Sequence, residues 1–547
     1  MSDNHVEKGK AFKWRQFVPN CFDMLCIATV GVLVAAWLGT NQFSPDSWSY
    51  FELSKTIFSD FYRVNTFRQY QTVSSYGTSF PPLFPFLLAV ARAVCDLGIY
   101  TAVLLNATIC VATLFAIKGL IKHIGLSAWV GNILFLMLLT RDQYVNEVMS
   151  GRSIPLALLI LVLLLRVYFS LSTMTLGRAA LLGLLAGLSM LTRFDFLASG
   201  LVLGLVIAWY ARKQSLLVKP VYLVVLAITV SPWVIYSLSY FSKPFVSDNS
   251  RTAMLVSKSF VTDYYPEGEQ LEFAWDAPMS WAYNVAVGRF PRPIYACIKA
   301  VVTDPSLLIL VGVLVGVSLL GPSSSPTLSS KRRIGDCNVG LGQWGGMALV
   351  LAAQVLAFGL TGYSDARYYL SLQFFLALAL THAIGRKVDL QLSLEQWSKQ
   401  YRRFLSVLCV SITVLLAVRA GPLLNWRTKL AVASLQQFQV LDQDNLTPRA
   451  YADVIEEIHS RDKEPRILVV SGADPFRFGA LTGCMTFIKP RNLTVESFIP
   501  FVHAYQVTHV LDPKHDLLNS LRGRVSLEFT EIRGLVRILP DEHAGAN

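Results

Sequence analysis

Charged residues are scarce. They make up 15% of the 547 residues, against 53% hydrophobic, where soluble domains carry about 25% charge. That scarcity excludes a soluble globular protein. The eight cysteines include no CxxC pair, and Cys26, Cys110 and Cys409 lie inside apolar runs, where a thiol behaves as a small apolar group. Neither a disulfide framework nor a zinc-ligand cluster is indicated. There is no G-x-G-x-x-G and no Walker pattern, so the turn Gly472-Ala473-Asp474-Pro475 is not a phosphate loop. The formal charge is +12, yet no basic stripe is interleaved with stacking aromatics, which excludes a nucleic-acid partner. No A-x-A cleavage site follows the first apolar run, so that run reads as a retained helix. Internal repeats are absent too.

What is present is a series of apolar runs, roughly 16–22 residues each, long enough to cross a bilayer core. The chain is therefore a polytopic membrane protein. Lys8, Lys10, Lys13 and Arg15 precede the first run and mark residues 1–21 as a cytoplasmic N-terminus. Segment 83–98 decides the topology: it is short, contains Arg92 and begins among Pro81, Pro82 and Pro85. Read as an interfacial helix, it leaves spans at 22–38, 101–118, 126–140, 153–171, 179–192, 196–211, 219–238, 306–321, 344–361, 368–385 and 404–420. These are about eleven, and every major basic cluster then falls on the inner side.

The fold class expected is an all-α polytopic membrane bundle over 22–425, with outer loops 40–100 and 240–304. A small α/β extracytoplasmic domain follows over 426–547. Its strands are expected at 466–471, 485–488, 507–512, 525–530 and 535–539, with a helix over 495–505 and the last two strands pairing as a hairpin.

This topology gathers Asp46, Arg141, Asp142, Glu147, Arg152, Arg193, Asp195, Asp365 and Arg367 at the outer ends of the spans. Ionisable groups at membrane depth cost about 2.5–3.5 kcal/mol each at mid-helix, so those that persist face a polar cavity or a partner. Guanidinium groups grip phosphate oxygens in bidentate fashion, and a carboxylate takes a proton from a hydroxyl. Together they suit a substrate with a phosphodiester and a nucleophilic hydroxyl. Each residue also has a plainer local reading. Asp46 opens the run 47–61 as a helix N-cap. Arg193 and Asp195 pair within a tight helix–helix turn, and Asp365 and Arg367 form an interfacial ion pair. Arg152 snorkels to headgroups, and Asp142 and Glu147 are solvated loop charges.

Several motifs in order resemble one family. They are Asp46-Ser47-Trp48-Ser49-Tyr50 after the first span, Phe80-Pro81-Pro82-Leu83-Phe84-Pro85, and Gly183-Leu184-Leu185-Ala186-Gly187 running on to Thr192-Arg193-Phe194-Asp195. Pro232-Trp233, Lys243-Pro244-Phe245 and Arg367-Tyr368-Tyr369 follow. Over roughly residues 22–385 the chain resembles the GT-C superfamily of membrane glycosyltransferases, which includes protein O-mannosyltransferases and lipid A aminoarabinose transferases. It departs from the pattern at the fourth span. Many relatives carry an acidic residue directly before a proline there, whereas Ile154 precedes Pro155 and Glu147 stands about two turns earlier.

The resemblance implies a hexosyl- or pentosyltransferase that moves a sugar from a polyprenyl-phosphate donor to a glycan, lipid or protein acceptor on the outer face, with inversion. Asp46 is the implied general base. Arg193, Arg367 and Arg152 are implied to hold the lipid phosphate, with Tyr50, Asp195, Glu147 and Arg68 lining the site. No cofactor is required, and a carboxylate-bound divalent cation stays open. The expected location is a bacterial inner or plasma membrane in preference to the endoplasmic reticulum. Rival readings are a secondary transporter or flippase, an oligosaccharide polymerase or ligase, and an accessory subunit. A transporter would tend to show inverted repeats and broken mid-membrane helices.

Overall fold

Proline stands in the first turn of several helices of this chain, at Pro45, Pro155, Pro278 and Pro291. The computed structural model describes residues 23–34, 43–58, 62, 66–67, 80–126, 128–139, 141–170, 175–210, 217–242, 256, 274–320, 341–361, 365–392, 458, 465–470, 484–489, 493–512, 516–521, 526–529 and 535–539. Two compact units divide the chain. One comprises Met1–Thr40, Val103–Phe245 and Val287–Ala431, and the other Asn41–Ala102, Val246–Ala286 and Val432–Asn547.

The first unit is helical. It contains α1 (Asp23–Val34). In the second unit, α2 (Pro45–Thr56), strand β1 (Thr66–Phe67) and α3 (Leu83–Val94) precede α4 (Tyr100–His123), most of which belongs to the first. The first unit continues with α5 (Ala128–Leu139), α6 (Asp142–Met149), α7 (Ile154–Tyr168), α8 (Leu176–Thr192), α9 (Phe196–Tyr210) and α10 (Val218–Phe241). A short α11 (Pro278–Tyr283) and the π-helical turn Asn284–Arg289 lead to α12 (Pro291–Val302), α13 (Pro305–Leu320) and α14 (Leu341–Thr361). A 3-10 turn, Ala366–Tyr369, then opens α15 (Leu370–Leu392).

Among the described residues four helices, α4, α10, α14 and α15, are long and apolar enough to cross a membrane. The count reaches six if the bent pairs α6–α7 (113°) and α11/α12–α13 (58°) are each one span. The expected runs from 22–38 to 368–385 each fall on a helix, several of them shorter than 18 residues. The run at 404–420 lies outside the described residues. Segment 83–98 forms the 12-residue α3, about 18 Å long against a bilayer core of about 30 Å. It packs on α2 with Phe84 and Leu88 fully buried.

Helix α8 packs against α10 through glycine. A Cβ at Gly183 would stand 2.5 Å from the Tyr222 carbonyl oxygen, and one at Gly187 2.6 Å from Thr229 Cβ. Small residues four apart let two backbones approach in this way.

In the second unit β2 (Arg466–Val469), β3 (Met485–Ile488), α16 (Val495–Tyr505), β4 (His509–Leu511), α17 (Asp516–Leu521), β5 (Leu527–Phe529) and β6 (Leu535–Ile538) build an α/β domain. The sheet order is β1-β3-β2-β4-β6-β5. Strands β1, β3, β2 and β4 are parallel, and β6 runs antiparallel to both β4 and β5. Successive side chains point to opposite faces. Leu468, Phe487, Val510 and Val536 join Phe498 and Phe501 of α16 in one cluster, and Ile467, Val469, Leu511 and Leu535 form another. Strand β1 comes from the first loop, with Thr66 opposite Thr486.

Candidate functional site

A buried carboxylate organises the charged residues of the helical unit. Helix α6 ends in a Schellman turn: Gly151 N–H donates to the Val148 carbonyl, and Arg152 N–H donates to the Glu147 carbonyl at 3.1 Å. Gly151 sits at φ +67°, a conformation that costs glycine little and other residues more. The turn folds Arg152 back over Glu147, and their side chains meet with Nη1 2.5 Å from Oε1. Asn106 on α4 secures the same turn. Its Nδ2 donates to the carbonyls of Glu147, Val148 and Arg152 at 3.2, 3.3 and 2.9 Å. Pro155 then starts α7 at a position where its missing N–H costs nothing.

Glu147 is only 2% exposed and also pairs with Arg367, whose Nη1 lies 3.5 Å from the same Oε1. Arg367 is held a second time by Asp365, which caps the 3-10 turn through the Arg367 N–H and pairs with its guanidinium at 3.1 Å. Beside it, the Tyr368 ring carries both Arg367, 5.1 Å from its centroid, and Arg193, 4.9 Å from it. Arg193 pairs with Asp195 at 3.0 Å, and Asp195 accepts from Gln354 of α14 at 2.8 Å. Phe194, between them, packs on buried Trp233 of α10.

Three guanidiniums and three carboxylates thus form one connected centre on α6 and on the turns that follow α6, follow α8 and precede α15. Their formal charges cancel, so the carboxylates offset the repulsion that three close guanidiniums would otherwise suffer. Planar guanidinium groups clamped by carboxylates present a fixed fork, the geometry that suits phosphate oxygens.

This centre joins Glu147, Arg152, Arg193, Asp195 and Arg367 of the expected set. Glu147 is not the solvated loop charge that its local sequence implies. The bend between α6 and α7 turns it inward, and two arginines neutralise it there. Arg141 joins a different pair, buried with Asp304 at 2.8 Å. Asp304 also accepts from the Ser306 and Leu307 N–H groups at the start of α13, and Arg141 donates to Gln373. Asn106, Gln354, Gln373 and Asp304 escaped the sequence reading. Their signal was a polar side chain within or beside an apolar run.

The second unit holds Asp46 and Tyr50. Ser44, not Asp46, is the N-cap of α2. Its hydroxyl accepts from the Ser47 N–H, the Ser47 hydroxyl accepts from the Ser44 N–H, and Pro45 occupies the first turn. Asp46 is half-buried at the second helical position, where its charge complements the helix dipole. Tyr50 packs edge-on against Phe80 and Phe84 at 4.9 and 5.0 Å, which explains the pairing of the first-loop motif with Phe80-Pro81-Pro82-Leu83-Phe84-Pro85. Between α2 and α3, burial and then Arg92 push the Lys55 ammonium down, and the hydrogen bond from Arg92 holds the Asp96 carboxyl down. Arg68 lies outside the described residues. Among the described residues no group of three or more His, Cys, Asp or Glu is placed to hold a metal ion.

No protein-family model matches the chain, and no curated protein matches it. Solved structures do. ArnT from Cupriavidus metallidurans bound to undecaprenyl phosphate is 14% identical, covering 94% of this chain and 97% of that one at a TM-score of 0.48. The archaeal oligosaccharyltransferase AglB from Archaeoglobus fulgidus, in complex with an inhibitory peptide and a dolichol-phosphate, is 14% identical. It covers 89% of this chain and 69% of that one at a TM-score of 0.45.

Proposed function

We propose that the chain is an integral membrane glycosyltransferase that moves a sugar from a polyprenyl-phosphate donor to an acceptor hydroxyl with inversion. The observation that carries this reading is the arginine centre, in which Glu147 clamps Arg152 and Arg367 while Arg193 and Arg367 share the Tyr368 ring. A lipid-linked phosphate is a membrane-level anion that three oriented guanidiniums match.

The step balances without a further reactant. Asp46 takes the proton of the acceptor hydroxyl, and the oxygen attacks the anomeric carbon from the face opposite the phosphate. The bond from that carbon to the phosphate oxygen breaks, and the lipid phosphate departs with the electron pair. Its charge grows during departure, and Arg152, Arg193 and Arg367 stabilise it more strongly in the transition state than in the ground state, as catalysis requires. Glu147, matched by two guanidiniums, serves to orient them.

Purified protein incubated with a radiolabelled polyprenyl-phosphate sugar is expected to release the lipid phosphate in step with labelling of an acceptor. Arg367→Gln is expected to lower the rate about 10²–10³-fold, the usual cost of one transition-state donor. Passage of the intact donor across a vesicle membrane without cleavage would instead indicate a transporter and sink the proposal.

A further inference from the structure

We infer that the end of the helical unit opposite the arginine centre is a binding site for the headgroup of an anionic phospholipid. Helices α4, α7 and α8 each carry polar groups at both ends. Asn106, Arg152 and Arg193 stand at one end, and Lys122, His123, Arg166 and Arg178 at the other. Arg152 stands in the turn just before α7, and from Ile154 to Arg166 that helix rises about 18 Å.

Two of these residues, His123 and Arg178, meet at Ser170. The Ser170 hydroxyl is 2.9 Å from His123 Nε2, and Arg178 Nη1 donates to the Ser170 carbonyl at 3.4 Å. The same hydroxyl donates to the Arg166 carbonyl at 3.3 Å. The Arg166 guanidinium lies against Gly119 of α4, with Nη1 2.9 Å from where a Cβ would stand, and both Arg166 and Arg178 act electrostatically on His123.

This cluster lacks what the arginine centre has. There, three carboxylates match three guanidiniums. Here, no carboxylate pairs with Lys122, His123 or Arg166 among the described residues. Asp23 of α1, one turn away, is already engaged by Lys118 and Asn132. Lys122 and Arg166 are exposed and so open to an anion approaching from outside the chain. Helix α4 has 24 residues, about 36 Å of rise, which carries its last turn to headgroup level. At that level the abundant anion is a phospholipid phosphate, and basic pockets between helices take such headgroups.

The test is the melting temperature of the purified full-length protein titrated with dioleoyl phosphatidylglycerol, with dioleoyl phosphatidylcholine and inorganic phosphate in parallel. Phosphatidylglycerol is expected to raise it saturably, and the other two are not. The double variant R166Q/R178Q should need about ten-fold more phosphatidylglycerol for half of the shift. The single exposed variant R166Q, which removes no ion pair among the described residues, should show a smaller loss in a protein that melts normally without lipid. R332Q/R333Q should match the wild type. Equal shifts from phosphatidylcholine or inorganic phosphate, wild-type affinity in both Arg166 variants, or an equal loss in R332Q/R333Q would each overturn the inference.

Discussion

Glu147 and Arg152, five residues apart, form an ion pair at 2.5 Å because a glycine-containing turn folds one back over the other. The carboxylate is buried and the guanidinium partly exposed. Removing one partner of a buried pair leaves a charge uncompensated and costs about 3–5 kcal/mol. Glu147→Gln is expected to destabilise the protein toward the lower end of that range, because Arg152 retains some water. The double variant Glu147→Gln, Arg152→Gln should recover part of the loss. Denaturation midpoints of the two singles and the double would show the coupling, and strict additivity would remove it.

Asn106 gives a second prediction. Its side chain donates to three carbonyls of the turn that carries Glu147 and Arg152. Asn106→Leu keeps the volume and leaves those buried acceptors without that donor, at a cost of about 1–3 kcal/mol. Transfer activity should fall although Asn106 is not given a place on the substrate. Asn106→Asp, which offers no N–H, should not rescue it.

The approach of α8 to α10 gives a third. Gly187→Leu places a side chain where Thr229 Cβ already stands, and overpacking of this kind costs about 1–3 kcal/mol. Gly177, with open space around its Cβ position, should accept alanine at little cost. A thermal unfolding comparison of the two variants checks the pair, and equal behaviour would contradict the close packing described.

Ser44 and Asp46 separate capping from chemistry. Ser44→Ala is expected to cost about 1 kcal/mol and to leave transfer largely intact at temperatures where the protein is folded. Asp46→Asn keeps the shape and the helix, and should lower the turnover rate about 10²–10⁴-fold with little change in melting temperature. The reverse pattern would return Asp46 to a purely structural role.

How far these features were legible in the sequence follows from how local their causes are. The strands at 485–488 and 535–538 and the helix at 495–505 lie where short apolar runs and turn residues place them. Strand β1 did not: two residues pair with a strand more than 400 positions away, and nothing in Thr66-Phe67 announces it. The capping error at Asp46 came from passing over Pro45, which favours the first helical position and so points one residue back, to Ser44. Glu147 read as a solvated charge because α6 is only eight residues long, and its burial depends on the bend after it. The Arg141–Asp304 pair joins positions 163 apart, a distance over which only the packed fold can make the match. Arg193–Asp195 and Asp365–Arg367, two residues apart, were readable from the turn alone.

The central claim is that the arginine centre holds a lipid-linked phosphate, and direct binding of polyprenyl phosphate to the purified protein tests it most closely. The wild type is expected to bind saturably, and Arg193→Gln with Arg367→Gln should weaken binding at least about ten-fold, since a charged hydrogen bond contributes about 1.5–3 kcal/mol. Asp46→Asn, which spares the guanidiniums, should bind as the wild type does. Unchanged affinity in the double arginine variant would contradict the account.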